Sequence, residues 1–236
     1  MPNSVLLNNI DHKDLRVVTR HGAGLGDAVM SSITFPGEFR SVQTHYPIVF
    51  AKQADGSFQA LALFGFEQGQ NLFLQGDRWD ASYLPMAVER QPFMIGRNGE
   101  ALQVHVDIDH PRIRQADGDG EAVFREHGGT SEYLEHINSL LLALHQGLQD
   151  SSAFVASLLQ HDLLESFVLD VQLDDGSDHR LAGFYTINEE KLAALEAQVL
   201  AELHRAGHLQ AIYMVMASLS NFRLLIDRMN HRRASH

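Results

Sequence analysis

A histidine and an aspartate two residues apart, His105 and Asp107, have the spacing best suited to metal chemistry in this sequence. On a strand such a pair points to one face, as in the two-histidine, one-carboxylate sites of iron oxygenases. The candidates for a third ligand are His145, His161 and His179. We favour the alternative of an exposed polar strand face, because two common residues reach this spacing easily by chance.

A second histidine pair, His204 and His208, has the four-residue spacing of helical zinc ligands. The zinc-enzyme signature also needs a glutamate after the first histidine, and Arg205 stands there instead. Gly207 should end the helix before the second ligand is placed. We therefore interpret both side chains as neighbours of a helix C-terminus, where a positive charge is favourable.

The glycine-rich run RHGAGLGD, residues 20–27, does not fit a nucleotide-binding loop. The dinucleotide pattern requires glycine where Asp27 stands, and the phosphate-loop pattern lacks its closing Gly-Lys-Ser/Thr. The sequence also lacks the Gly-x-Ser-x-Gly elbow of many serine hydrolases. We expect a flexible loop here, and the sequence assigns no catalytic residue and no cofactor.

The stretch NLFLQGDRWDASYLPMAVERQPF, residues 71–93, concentrates aromatic and charged residues that could contact a ligand. A helical turn would place Trp79 and Tyr83 on one face, while Pro85 and Pro92 restrict the backbone after them. We favour a rigid segment that organises the core, with one wall of a ligand groove as the alternative. The tentative ligand-binding residues are Trp79, Tyr83, Arg90 and Phe93.

The net charge and the absence of cysteine restrict the kinds of binding partner and of catalytic or metal site that the chain can have. Thirty acidic and eighteen basic residues give a formal charge of −12, which repels phosphate backbones, so we expect no nucleic-acid partner. The basic run at residues 228–233 is interpreted as a solvated end. The chain has no cysteine, which excludes thiol catalysis, zinc–thiolate sites and disulfides.

No membrane span or signal peptide is predicted. Charged residues interrupt every apolar run among the first thirty residues. The most apolar window, residues 209–226, contains Gln210, Asn221 and Arg223. We expect a cytoplasmic protein, with signal-independent export as the alternative.

The elements that would position these residues are strands in the first half and mainly helices in the second. Asp55-Gly56, Asn98-Gly99 and Asp175-Gly176 are typical of hairpin turns. Residues 102–109 alternate apolar and polar side chains, as in a half-buried strand. This order predicts an α+β fold, in which a meander or partly open barrel precedes helices interleaved with a β-hairpin.

Helix boundaries follow from capping residues. Thr130 is predicted to cap a helix that weakens at Gly147, with a short second helix after it. Asn188 is predicted to cap a helix that runs to Gly207. The tail is predicted as an apolar run and a helix capped by Ser218, or as one continuous helix. We predict a single domain over residues 1–236, with an internal boundary placed near residues 115–130.

The segment at residues 71–93 resembles the signature of the bacterial SapC family, with an Asn-Leu-Phe, a Trp, a Tyr-x-Pro, an Arg and a Pro-Phe in order. Three further segments resemble the other conserved blocks of this family: HKDLRVV, HYPIVFAK and the segment from AGFYTINEEKL to LLIDRMN. The similarity extends from about His12 to Asn230. Relatives often carry two arginines before Pro-Phe, whereas this chain has Arg90 and Gln91, which puts any role of a paired basic site in doubt.

The resemblance implies a role in a bacterial surface layer or envelope. It points to a protein partner from a surface-layer locus or a TonB-dependent receptor locus, and such loci include cupin-like and flavin-dependent halogenase-like proteins. It assigns no catalytic residue. It is not a resemblance to the peptide-transport permease that shares the name.

Three hypotheses follow. The first is a soluble, non-catalytic binding or assembly protein of a bacterial surface or outer-membrane uptake system. The second is a metal-dependent oxygenase-like or peptide-tailoring accessory enzyme that works with a halogenase-like partner. The third is a small-molecule-binding regulator.

Overall fold

Open antiparallel sheets and helices build the computed structural model, which describes residues 3–99, 101–116 and 118–234. This confirms the predicted α+β class. The strands are β1 Ser4–Leu6, β2 Arg16–Val17, β3 Ser31–Ile33, β4 Ile48–Lys52, β5 Phe58–Leu63, β6 Leu74–Gln75, β7 Arg78–Trp79, β8 Phe93–Asn98, β9 Ala101–Asp107, β10 Ile113–Arg114, β11 Glu121–Ala122, β12 Leu164–Gln172 and β13 Asp178–Ile187. The helices are α1 Phe39–Val42, α2 Met86–Glu89, α3 Glu132–Gln160, α4 Glu189–Ala193, α5 Ala197–Arg205, α6 His208–Ser218 and α7 Asn221–Ala234.

The chain divides into two compact units, each built from three separate segments. Unit 1 takes the described residues within Met1–Ala28, Leu74–Asp80 and Met86–Gln146. Unit 2 takes those within Val29–Phe73, Ala81–Pro85 and Gly147–His236. The single domain and the boundary near residues 115–130 stay predictions.

Unit 1 contains the sheets β1-β9-β8 and β10-β2-β11 and the short pair β6-β7. Strands β8 and β9 pair Asn98 with Ala101, so this hairpin closes where the Asn-Gly sequence predicted. The apolar face of β9 packs, through Val104 and Val106, against a core that includes the first half of α3. Its buried members are Leu15, Val17, Phe93, Val106, Val123, Leu134, Ile137 and Leu141.

Unit 2 contains the five-stranded sheet β12-β13-β4-β5-β3. The hairpins β4-β5 and β12-β13 close at the predicted Asp-Gly turns. Aromatic rings fill the core, with Phe154 lying edge-on to Phe39 and tilted against Phe50. Phe39 is fully buried and Phe154 almost so, which makes them major contributors to the apolar area of this unit.

Helix α3 differs from its prediction because it continues through Gly147 to Gln160. A Cβ atom on Gly147 would overlap the ring of Phe35, so this glycine makes room for a neighbour and does not end the helix. At the start, the hydroxyl of Ser131 accepts the amide of Leu134 at 3.1 Å. Ser131 is therefore the N-cap, in place of the predicted Thr130.

The predicted cap at Asn188 is confirmed, since its side chain accepts the amide of Lys191 at 2.8 Å. The expected single helix is instead two, α4 and α5, and Gly207 follows α5 with φ at 75°. The predicted apolar run near the end is helix α6. Ser218 closes α6, donating to the carbonyl of Val215 at 2.6 Å, so it does not cap α7 as predicted.

The stretch His208–Ala234, which contains α6 and α7, has the length and apolar character of a segment able to cross a membrane. Its most apolar window has a mean hydropathy of 1.3, and 33% of that window is buried inside the protein. Apolar helices of soluble cores have the same character. Within this stretch Ile212, Val215 and Leu225 are fully buried.

The basic end of α7 is exposed, as expected of a solvated end, but its arginines contact other parts of unit 2. Arg232 donates to the carbonyl of Asn71 at 3.3 Å. Arg233 contacts the carboxylate of Asp175 at 2.6 Å and the hydroxyl of Ser177 at 2.8 Å. These contacts attach the last helix to the rest of unit 2.

Candidate functional site

In unit 1 the loop after β2 holds a buried charged network that we call the Asp27 cluster, formed by His21, Asp27, Trp79 and Arg112. Asp27 is fully buried, and one terminal nitrogen of Arg112 lies 2.7 Å from each of its carboxylate oxygens. Backbone geometry contributes as well, because the amide of Gly22 donates to Asp27 Oδ2 at 2.8 Å. The loop predicted to be flexible therefore carries a fully buried ion pair.

Electrostatics keep this carboxylate ionised. Burial alone would raise the pKa of Asp27, but the hydrogen bond from His21, that from Gly22 and the charge of Arg112 together hold this pKa below its usual value. His21 Nδ1 lies 3.4 Å from Asp27 Oδ2. Arg112 also donates to the carbonyls of Val18 and Arg20, so one guanidinium group fixes the whole loop.

Trp79 reaches the Asp27 cluster from β7. Its ring lies edge-on to His21, with 5.6 Å between ring centroids. The helical turn expected to align Trp79 and Tyr83 is absent from this segment, since Trp79 ends a strand and Tyr83 lies in an irregular segment. Gly76, with φ at 62°, allows the tight turn between β6 and β7, so Trp79 lies on a paired strand. Trp79 belongs to unit 1 and Tyr83 to unit 2.

Arg90 and Phe93 both lie in unit 1 and contact each other through the backbone. Phe93 is fully buried, and its ring lies 6.2 Å from that of Tyr133. Arg90 donates from its guanidinium to the carbonyl of Phe93. Burial lowers the pKa of Arg90 and raises that of Tyr133. These contacts join the end of the signature segment to the core.

Tyr83 organises a second set of polar contacts, the Tyr83 cluster, formed in unit 2 by Thr34, Glu38, His45, Tyr46, Ser82 and Tyr83. Its phenol donates to Glu38 Oε1 at 2.9 Å, and Thr34 donates to Glu38 Oε2 at 2.6 Å. Glu38 is only 2% exposed, so both hydroxyl groups satisfy a buried carboxylate.

Tyr46 holds the other side of Tyr83. Its phenol donates to the Tyr83 carbonyl at 2.5 Å. The Tyr46 side chain is fully buried between the rings of Phe64 and Phe73, whose centroids lie 5.2 Å and 4.7 Å from its own. Tyr83 is thus fixed by both its side chain and its backbone.

A serine–histidine contact lies next to these residues. His45 Nε2 lies 2.6 Å from the hydroxyl oxygen of Ser82, which is exposed. Burial, and then the positive charge of Arg228, lower the pKa of His45. The lowered pKa favours the neutral imidazole, and in the tautomer protonated at Nδ1 its Nε2 can accept the serine proton.

The candidate metal ligands do not assemble into a site among the residues that the structure describes. His105 lies over Gly96 with its Nδ1 3.4 Å from the Ser4 hydroxyl, and Asp107 accepts the amide of Asn3 at 3.0 Å. His179 lies between Glu67, at 3.0 Å, and Arg233, at 3.0 Å. Across residues 3–99, 101–116 and 118–234, no three histidine, aspartate or glutamate side chains come together in a way that could hold a metal ion.

His204 and His208 do not form a joint site either, because their surroundings differ. His204 is exposed on α5, whereas His208 Nδ1 lies 2.9 Å from the hydroxyl of Ser157. The His208 ring packs edge-on against Phe154, and burial lowers its pKa. Gly207 separates the two histidines into different helices, as its sequence position suggested.

Sequence reasoning missed the residues of both clusters apart from Trp79 and Tyr83. An aspartate at the end of a glycine-rich run was the available signal for Asp27. Its partner Arg112 lies 85 positions away, and a single sequence does not indicate such a pairing. Ser82 and His45 are likewise 37 positions apart and carry no motif.

The fold is a mixed α+β fold with open antiparallel sheets. The segment 71–93 supplies Trp79 to the Asp27 cluster in unit 1 and Tyr83 to the Tyr83 cluster in unit 2. Residues 7–225 match the family model described as SapC, which covers nearly the whole chain. The chain belongs to the SapC family. Neither the curated proteins nor the solved structures provide a match.

Proposed function

We propose that this protein is a binding or assembly protein of a bacterial cell-surface or outer-membrane uptake system. Its partner would be a protein from a surface-layer locus or a TonB-dependent receptor locus, and it would act from the cytoplasmic side. Membership of the SapC family supports the setting.

One observation carries the non-enzymatic part of the proposal. Several residues of the segment 71–93 direct their side chains inward, as Tyr83 does towards Glu38 and Phe93 towards the core of unit 1. These inward contacts fix the backbone of the segment, as expected for a scaffold that presents a surface to a partner. The buried aromatic rings and the hydrogen bonds of Tyr83 are typical of a segment that organises a core.

Site-specific photocrosslinking in the bacterium that encodes the protein tests this. A photoreactive residue is placed at Ile10, Val168 or Tyr213, which are 80%, 48% and 53% exposed. We expect at least one position to crosslink to a surface-layer protein or a TonB-dependent receptor, and cell fractionation to recover the free protein in the cytoplasm.

The matched control is the same variant in cells that lack the gene of the captured partner, where the crosslinked band should disappear. The proposal is wrong if no position captures such a protein and if deletion of the gene leaves both the surface layer and receptor-dependent uptake unchanged.

A further inference from the structure

Two hydrogen-bond contacts connect residues 45–46 with residues 82–83 in unit 2. His45 Nε2 lies 2.6 Å from the Ser82 hydroxyl, and the phenol of Tyr46 donates to the carbonyl of Tyr83 at 2.5 Å. The second link is anchored by a fully buried tyrosine. The backbones that carry Ser82 and His45 are therefore held next to each other by the fold.

From this geometry we propose that Ser82 is an acylation site, which takes an acyl group from an activated ester or thioester with His45 as its general base. The inference goes beyond the proposed function and does not depend on it, since one transfer to the protein requires no turnover. An acyl group on an exposed residue would change the surface that a partner meets.

The chemical step is balanced without any further reactant. Ser82 Oγ forms a bond to the acyl carbon while His45 Nε2 takes the hydroxyl proton. The bond between the acyl carbon and the oxygen or sulfur of the donor breaks, and the leaving alkoxide or thiolate receives the proton from His45. The products are acyl-Ser82 and an alcohol or thiol.

Two features favour this serine, its exposure and a neutral imidazole as its base. It is exposed, so a donor can reach it, while His45 is half-buried behind it. In the tautomer protonated at Nδ1, the imidazole accepts the hydroxyl proton, and burial, followed by the charge of Arg228, lowers the pKa of His45 and favours the neutral ring.

The chain supplies an internal comparison. Ser157 and His208 form another serine–histidine contact at 2.9 Å. Ser157 is half-buried on α3, and its contact is with Nδ1. If proximity to an imidazole were sufficient, both serines would react alike.

The test is to incubate the full chain with 4-nitrophenyl acetate and, separately, with an acetyl thioester, and to follow acetylation by intact-mass and peptide-mapping mass spectrometry. We expect one acetyl group per chain on Ser82 and none on Ser82→Ala. His45→Gln, which cannot take the proton, should slow the reaction about 100-fold or more. Ser157→Ala should react at the wild-type rate.

Thermal unfolding of each variant confirms that it is folded before its rate is compared. The proposal is overturned if Ser82 is not acetylated by either donor, if His45→Gln reacts as fast as the wild type, or if Ser157 is acetylated at the same rate as Ser82. None of these outcomes involves the partner, so they are independent of the crosslinking experiment.

Discussion

At the scale of individual residues, Asp27 and Arg112 form a buried ion pair in unit 1. Both are almost fully buried, at 0% and 3% exposed, and each would be costly to bury alone. Their contact explains why a loop rich in glycine adopts one structure. The sequence did not predict this, because glycine content indicates local freedom while the constraint comes from a distant guanidinium group.

We expect Asp27→Asn to lower the free energy of unfolding by about 3–5 kcal/mol, because the change removes one partner and leaves Arg112 buried with its charge uncompensated. Urea denaturation measures this. The control is Asp170→Asn, whose carboxylate is 72% exposed beside Arg180 and should cost less than about 1 kcal/mol. Equal losses for the two variants would contradict the importance of the buried pair.

At the scale of elements, the sequence predicts what neighbouring residues determine. The three Asp-Gly and Asn-Gly turns and the cap at Asn188 depend on residues within one turn of the chain, and all are confirmed. The end of a helix at Gly147 is wrong because the role of this glycine depends on Phe35, which is remote in sequence. The break between α4 and α5 also lacks a local signal, since Ala194 and Leu195 favour helix.

Gly147→Ala separates local propensity from packing. Alanine favours a helix interior by about 1 kcal/mol over glycine. However, its Cβ would overlap the Phe35 ring, and overpacking of this kind costs about 1–3 kcal/mol. We expect a net loss of stability, measured by urea denaturation. In a Phe35→Ala background the same change should instead stabilise the protein, and a gain of about 1 kcal/mol in the wild type would contradict the packing role.

For the whole molecule, the sequence predicted the fold class and the family, and both are confirmed. The candidate site was harder to predict from the sequence than the fold class. Trp79, Tyr83, Arg90 and Phe93 were recognised by type, but the structure divides them between the two units. Their partners, such as Glu38 for Tyr83, come from distant parts of the chain, so the chemistry of each residue emerges only from the tertiary fold.

The whole protein should also lose stability in acid in two steps, because groups in both units have lowered pKa values in the folded state. These groups are His45, His110, His208, Asp27, Asp55 and Asp175. The unfolded chain binds their protons more readily, so each contribution is complete above the unfolded pKa and is lost as pH falls through the folded pKa. The histidines respond below about pH 6.5 and the carboxylates below about pH 4.

A competing effect must be separated, because acidification also reduces the formal charge of −12 and the self-repulsion that it causes. We therefore predict the difference between two proteins, measured as the free energy of unfolding in urea from pH 8 to pH 3. The triple variant His45→Gln, His110→Gln, His208→Gln should lose less stability than the wild type between pH 7 and pH 5, since it lacks the three half-buried imidazoles. His204→Gln, at an exposed position, should follow the wild-type curve. Parallel curves for the triple variant and the wild type would show that burial of these histidines does not control acid stability.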